Sequence, residues 1–187
     1  MVREISSGGV VVKLRDGAWW MAAIEPAEGP AAEPLKSPED SAKTEPAKKA
    51  RARKPTLALP KGLVDPGEKA LETALREVYE ETGITAEAIT KLADIKYVYV
   101  RAWGDRERVF KIVSFYLMRY RSGRINEISP EMRIEVAQAR WIPLDDAPKL
   151  LAYRGEKQMA RKALEYLADH PELNSPDEKG EEVPEKK

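Results

Sequence analysis

Glu77, Glu80 and Glu81 stand within five consecutive positions, in the segment GLVDPGEKALETALREVYEETGI at residues 62–84. Glu68, Glu72 and Asp65 lie in the same stretch. Carboxylates gathered this closely either rise in pKa or require a cation. A hard divalent ion such as Mg2+ is the natural one. It takes oxygen ligands, commonly one or two carboxylates, and leaves its other positions to water and phosphate. An ordinary acidic helix facing solvent accounts for the same residues, and their types alone leave both readings open.

A helix over residues 68–82 would position these groups. Asp65-Pro66-Gly67 is turn chemistry. Gly62 permits close approach or a positive φ. Gly83 stands just after the helix, where glycine commonly ends one. At about 100° per residue, Leu71, Ala74, Leu75 and Val78 share one face and Glu77, Glu80 and Glu81 another. The wheel predicts a helix that docks by its apolar stripe and leaves its acidic face free.

The surrounding pattern predicts strands over residues 8–14, 19–24 and 56–60, and others within 89–101, 108–121 and 139–143, rich in β-branched and aromatic residues. Turns fall at Arg15-Asp16-Gly17 and Gly104-Asp105-Arg106. Short helices are expected over 145–151 and, with Met159, Ala163, Leu164 and Leu167 at helical spacing, over 156–168. Strands joined mainly by hairpins and mixed with few helices define an α/β (α+β) domain with a mixed sheet, not a regular doubly wound one. One domain is expected over residues 1–170. Within it, residues 25–55 are dominated by Pro, Ala, Glu and Lys, and the 171–187 tail is charged; neither can bury enough apolar surface to order itself. Both are read as disordered.

Composition narrows the chemistry. The chain has no cysteine, which excludes disulfides, thiolate metal sites and cysteine nucleophiles. The one histidine, His170, precedes Pro171 and reads as a helix-end residue. Lys plus Arg and Asp plus Glu number 32 each, so net charge points to no nucleic-acid partner. The basic cluster at 48–54 reads as a solvated charge run and leaves room for RNA or a polyphosphate. No apolar stretch approaches the ~20 residues that span a bilayer, and the first residues lack a signal-peptide pattern. A cytoplasmic protein with no membrane partner is expected.

The spacing of the acidic segment resembles the Nudix box, G-x5-E-x7-R-E-U-x-E-E-x-G-U with U a bulky aliphatic residue. Gly62, Glu68, Arg76, Glu77, Val78, Glu80, Glu81, Gly83 and Ile84 fill every specified position. The resemblance implies a Nudix hydrolase: an α/β/α sandwich in which the box forms a loop–helix–loop beside a mixed sheet, hydrolysing a nucleoside diphosphate linked to another group. It implies Mg2+ or Mn2+, with Glu80 and Glu81 as principal ligands and Glu77 as a ligand or orienting carboxylate. The carbonyl near Gly62 is a further ligand, and Arg76 and Glu68 pair with the box carboxylates. A general base outside the box is implied as well. Glu127, Glu131 and Glu135 precede Trp141, and Glu135, six residues before the tryptophan, is the choice by resemblance. Alternatively Glu135 is another metal ligand and a box glutamate activates the water.

LPKGLVDPGE, at residues 59–68, resembles the LPKGH-x-E-x-GE of the branch that cleaves diadenosine polyphosphates, related nucleotides and diphosphoinositol polyphosphates. It departs from that pattern at Leu63 and Asp65. Lys61 would set an ammonium beside a phosphate chain. The substrate class implied is a nucleoside polyphosphate, foremost a diadenosine polyphosphate. Diphosphoinositol polyphosphates and RNA 5′-triphosphate ends are alternatives. A non-catalytic binding domain is disfavoured because every box glutamate is present. Tyr97, Tyr99, Trp103 and Phe110 are read as adenine-stacking or sheet-core residues, Lys111 as facing the phosphates and Tyr153 the base. Many members of the family dimerise, so a homodimer is an expectation of the resemblance alone.

Overall fold

The computed structural model describes residues 2–27, 56–100 and 107–175. Nearly all of the 25–55 segment, the basic cluster, Trp103, the 104–106 turn and residues 176–187 lie outside the described residues.

The sheet grows from a tight hairpin. Strand β1 (Val2–Arg15) turns through Asp16 and Gly17, at φ 51° and 75°, into β2 (Ala18–Pro26). Two central residues at positive φ match the twist of the flanking strands. Strands β4 (Ile84–Val100) and β5 (Arg108–Gly123) are antiparallel, and β5 runs parallel to β1. With β6 (Val136–Pro143) on β2, the order is β4-β5-β1-β2-β6. One edge of β1 is shared: Val12 to Arg15 pair with β2, while Ser6 to Gly8 pair with the short β3 (Lys61–Leu63). That fork brings the start of the box onto the sheet.

One helix covers each face. Helix α1 (Ala70–Thr82) buries Ala74 and Val78 with Val11, Ala22, Ile84 and Met118. A Cβ on Gly9 would meet Val78 at 2.7 Å, so the glycine admits the helix closely. On the other face, α3 (Arg154–Asp169) buries Met159, Ala160, Ala163 and Leu167 against Val10, Val12, Phe115 and Leu117. The short α2 (Ala147–Leu150) precedes it. The result is the expected α/β/α arrangement with a mixed sheet. His170 caps the C-terminal end of α3, stacked on Tyr166.

Several boundaries differ from the sequence reading. β1 begins at Val2, not residue 8, because its polar first half pairs with β5. β4 begins at Ile84, directly after Gly83, instead of at 89. The strand expected at 56–60 is only two isolated bridges, Leu57 to Leu151 and Ala58 to Ile24. Pro60 has no N–H for a ladder, and its carbonyl accepts the Gly9 N–H. Helix α1 starts at Ala70, two residues later than expected. Glu72 caps its first turn by accepting the Lys69 N–H at 2.9 Å.

Ile24 and Ala58 exchange two backbone hydrogen bonds of 2.9 Å, which close the chain on either side of the 28–55 segment. Shortening a segment whose ends are already held changes the entropy of closing the chain little. Deleting residues 28–53 is therefore expected to leave one cooperative thermal transition within a few degrees of the parent. Loss of cooperativity would show that the segment is part of the core.

Candidate active site

The acidic face predicted by the wheel is divided by the tertiary structure. Glu77 and Glu81, one turn apart, are 8% and 6% exposed, while Glu80 remains half exposed. The first two are covered because β3 lies across that side of α1. A Cβ on Gly62 would fall on the Glu77 carboxylate, so close approach, not a positive φ, is what this glycine provides. The Lys61 N–H donates to Glu81 Oε2 at 2.8 Å.

Arg76 organises the remaining carboxylates. Its Nε and Nη2 donate to the two oxygens of Glu68, each at 3.0 Å, a bidentate pairing. Its Nη1 donates to Glu77 Oε1 at 2.7 Å and to Glu80 Oε2 at 3.0 Å, and Nη2 also reaches the Leu63 carbonyl. Thr73 Oγ1 donates to Glu68 at 2.6 Å. The Arg76 guanidinium, then Thr73, hold the Glu68 carboxyl down at about 2. Arg76 thus pairs with Glu68, Glu77 and Glu80, while Glu68 pairs with Arg76 and not with the other carboxylates.

The buried pair behaves oppositely. Burial pushes Glu77 above the usual carboxylate range, partly offset by Arg76. Burial pushes Glu81 up to about 8, with the Glu77 and Glu135 charges adding to it and Lys61 opposing. Glu135 follows the 3-10 turn Met132–Ile134, is exposed, and receives the Ala27 N–H on its carbonyl. Its charge adds, as the smallest of the named contributions, to the raised pKa of both buried glutamates. Glu127 and Glu131 are also exposed.

The resemblance implies a divalent cation here, and the donor chemistry fits one. Every candidate donor is a carboxylate or carbonyl oxygen, as a hard cation prefers. Glu77 and Glu81 are buried acids whose ionised forms lack sufficient positive charge nearby. The cation now lying between Glu77 and Glu80 is the Arg76 guanidinium. Among the described residues, no three acidic side chains converge closely enough to ligate an ion as they stand.

The buried acid ties stability to pH. Glu81 holds its proton more tightly when folded, to about 8, than at its ordinary 4.5. Between those values the folded state binds more protons, so stability falls as pH rises. Metal-free protein should melt lower at pH 8 than at pH 5. Mg2+ should raise the melting temperature more at pH 8, where it replaces the proton. An equal effect of Mg2+ at both pH values would contradict this.

Across the sheet, beneath α3, lie the other predicted contact residues. Lys61 Nζ is 3.6 Å from Glu156 Oε1. Burial works against the ammonium, yet Glu156 and Glu81 hold its pKa above the ordinary value. Lys111 pairs with Glu4 at 3.7 Å, and burial, with Lys61 nearby, lowers its pKa. Tyr99 donates to the same Glu4 at 2.9 Å, and the Tyr97 and Tyr99 rings are 6.3 Å apart. Tyr153 precedes α3, half buried against Ile24, Ala58, Val136 and Ala139. Phe110 alternates with Lys111 along β5 and turns to the opposite face, away from the tyrosines.

Sequence reading missed Glu156. It is 4% exposed, accepts the Leu59 N–H on Oε2 at 2.9 Å, and has its pKa raised by burial. A signal existed: it lies three residues before Met159, on the apolar stripe of α3, where a carboxylate needs a partner.

A mixed sheet between helices, with a glycine-led loop feeding an acidic helix, is the architecture that the resemblance to the Nudix box implied. The NUDIX domain model matches residues 45–166, and the chain belongs to that family. Over 110 residues it is 40% identical to a Mycobacterium tuberculosis (strain CDC 1551 / Oshkosh) protein provisionally named mutator protein MutT4; the match covers 59% of this chain but only 42% of that one. It is 33% identical over 118 residues to the asymmetrical bis(5′-nucleosyl)-tetraphosphatase of Mus musculus, covering 60% and 72%. An RNA pyrophosphohydrolase of Bradyrhizobium sp. (strain ORS 278) is 35% identical over 108 residues, with 50% and 62% covered. Among solved structures, a C. elegans Ap4A hydrolase binary complex shares the fold, with TM-score 0.60, 22% identity and coverage of 89% and 98%.

Proposed function

We propose that this chain hydrolyses a phosphoanhydride bond in a nucleoside polyphosphate, with a dinucleoside tetraphosphate as the substrate that suits it best. One observation carries the reading: the Lys61 main chain binds Glu81 while its side chain lies on the α3 side of the sheet. A single residue thus joins the carboxylate cluster to the face of the sheet that carries Lys111, Tyr97 and Tyr99. The likeness to the asymmetrical tetraphosphatase supports the substrate class.

In this reading Glu77, Glu80, Glu81 and the Gly62 carbonyl would hold Mg2+, which when bound would supply charge neutralisation at phosphate oxygens and a water of lowered pKa. Lys61 and Lys111 bind the phosphate chain, and Tyr153 with Tyr97 contacts the base. Glu68 fixes Arg76, and Arg76 orients Glu77 and Glu80. Glu135 stands on an exposed loop at the rim, where it can take a proton from the attacking water. No side chain here needs to form a covalent intermediate.

The test is a panel of diadenosine polyphosphates, nucleoside triphosphates, ADP-ribose, diphosphoinositol pentakisphosphate and triphosphorylated RNA, each incubated with Mg2+ and protein, with phosphate or nucleotide release measured. Fastest turnover of the tetraphosphate is expected. Preference for triphosphorylated RNA would replace this reading with the one favoured by the RNA pyrophosphohydrolase likeness. No turnover of any compound would refute it.

A further inference from the structure

Glu156 has no place in the machinery described so far, yet it is the most deeply buried carboxylate among the described residues. It enters from α3, on the opposite side of the sheet from the box helix. A carboxylate in such surroundings is retained only with good partners, and its two oxygens have separate ones. Oε2 accepts the Leu59 N–H at 2.9 Å, and Oε1 faces Lys61 Nζ at 3.6 Å. Both belong to the Leu59-Pro60-Lys61 approach to the box. That approach is a poor ladder strand, since Pro60 lacks an N–H.

The chain of contacts continues. The Lys61 N–H donates to Glu81 Oε2 at 2.8 Å, and Gly62, the next residue, packs on the Glu77 carboxylate. Glu156 therefore grips the approach from one face while the box carboxylates grip it from the other. Glu156 is the acid that pairs with the Lys61 ammonium on the α3 side.

We propose that Glu156 is a positioning residue for substrate binding: it holds the Lys61 ammonium on the α3 side of the sheet, where a polyphosphate chain meets it. The proposal rests on the function given above for Lys61. Glu156 itself touches no reacting atom. It acts through Lys61, so its loss weakens phosphate binding and leaves the chemical step largely intact. Gln at this position keeps an acceptor for the Leu59 N–H and removes only the charge, which separates the pairing with Lys61 from the support of the backbone.

The experiment is a double-mutant cycle on the full chain with Mg2+ and diadenosine tetraphosphate, comparing the parent, E156Q, K61M and the double variant. E156Q is expected to raise KM about tenfold, the scale of one misplaced charged contact between Lys61 and a phosphate, with kcat within about threefold. The double variant should bind no worse than K61M alone. A fall in kcat at unchanged KM, or losses that multiply, would overturn the proposal. Should E156Q alone fail to fold, the double variant read against K61M decides in the same way. Should the parent hydrolyse no nucleotide, the function falls separately. The coupling is then read by calorimetric titration of inorganic tripolyphosphate: weaker binding by E156Q and K61M without an additive loss sustains it, and equal binding by parent and E156Q overturns it.

Discussion

Glu81→Gln is expected to lower kcat by at least ~10²-fold, the scale of losing a key charge-stabilising or proton-handling group. The substitution is informative because it is structurally mild. The glutamine side chain keeps an oxygen for the Lys61 N–H, which now donates to Glu81 Oε2 at 2.8 Å. The change also removes a carboxylate that burial pushes up to about 8, so the metal-free variant should melt higher than the parent at pH 8. Activity and stability are thus predicted to move in opposite directions. Mg2+ should stabilise the variant less than the parent, since a ligand that binds only the folded state stabilises according to its affinity. Steady-state kinetics with thermal melts, each with and without Mg2+, check all three outcomes. Near-normal kcat would remove Glu81 from the proposed metal ligands.

Gly62→Ala is the second large effect, and it tests a contact instead of a charge. The added Cβ would fall on the Glu77 carboxylate, which has little room to retreat because Arg76 Nη1 holds it at 2.7 Å. Either β3 lifts from α1 or Glu77 swings away. Both displace a proposed ligand by about an ångström, which can cost ~10²-fold in rate. Overpacking of this kind lowers stability by only about 1–3 kcal/mol, so the variant should fold. Glu77→Gln should lose activity comparably, and the double variant should be little worse than either single one. Independent, multiplying losses would show that Gly62 matters for something other than the seat of Glu77. Kinetics on the four proteins, normalised to folded fraction, provide the measurement.

The box helix was legible because its information is local. Leu71, Ala74, Leu75 and Val78 repeat with helical period, Gly83 ends the run at φ 80°, and both features hold in the structure. The β1–β2 hairpin was legible for the same reason, through Asp16 and Gly17. Reading failed where partners are distant in the chain. The start of β1 is polar and shows no strand pattern; it is a strand because β5, more than a hundred residues away, pairs with it in parallel. The 56–60 segment has strand-like residues but only two bridges, Ala58 on Ile24 and Leu57 on Leu151, since the Leu59 amide is taken by Glu156 and Pro60 has none.

The candidate site divides along the same line. The spacing of these groups in the sequence, through its resemblance to the Nudix box, pointed to Gly62, Glu68, Arg76, Glu77, Glu80 and Glu81, and helical periodicity placed the last four on one element. Only the tertiary structure decided that Glu77 and Glu81 are buried and Glu80 is not. A helical wheel has no knowledge of β3, and burial by a neighbouring strand is what raises the pKa of the first two. Only the docking of α3 made Glu156 a partner of Lys61. Charge in a protein interior is set by what covers it and what faces it, and both come from elements that meet only when the sheet closes between its helices.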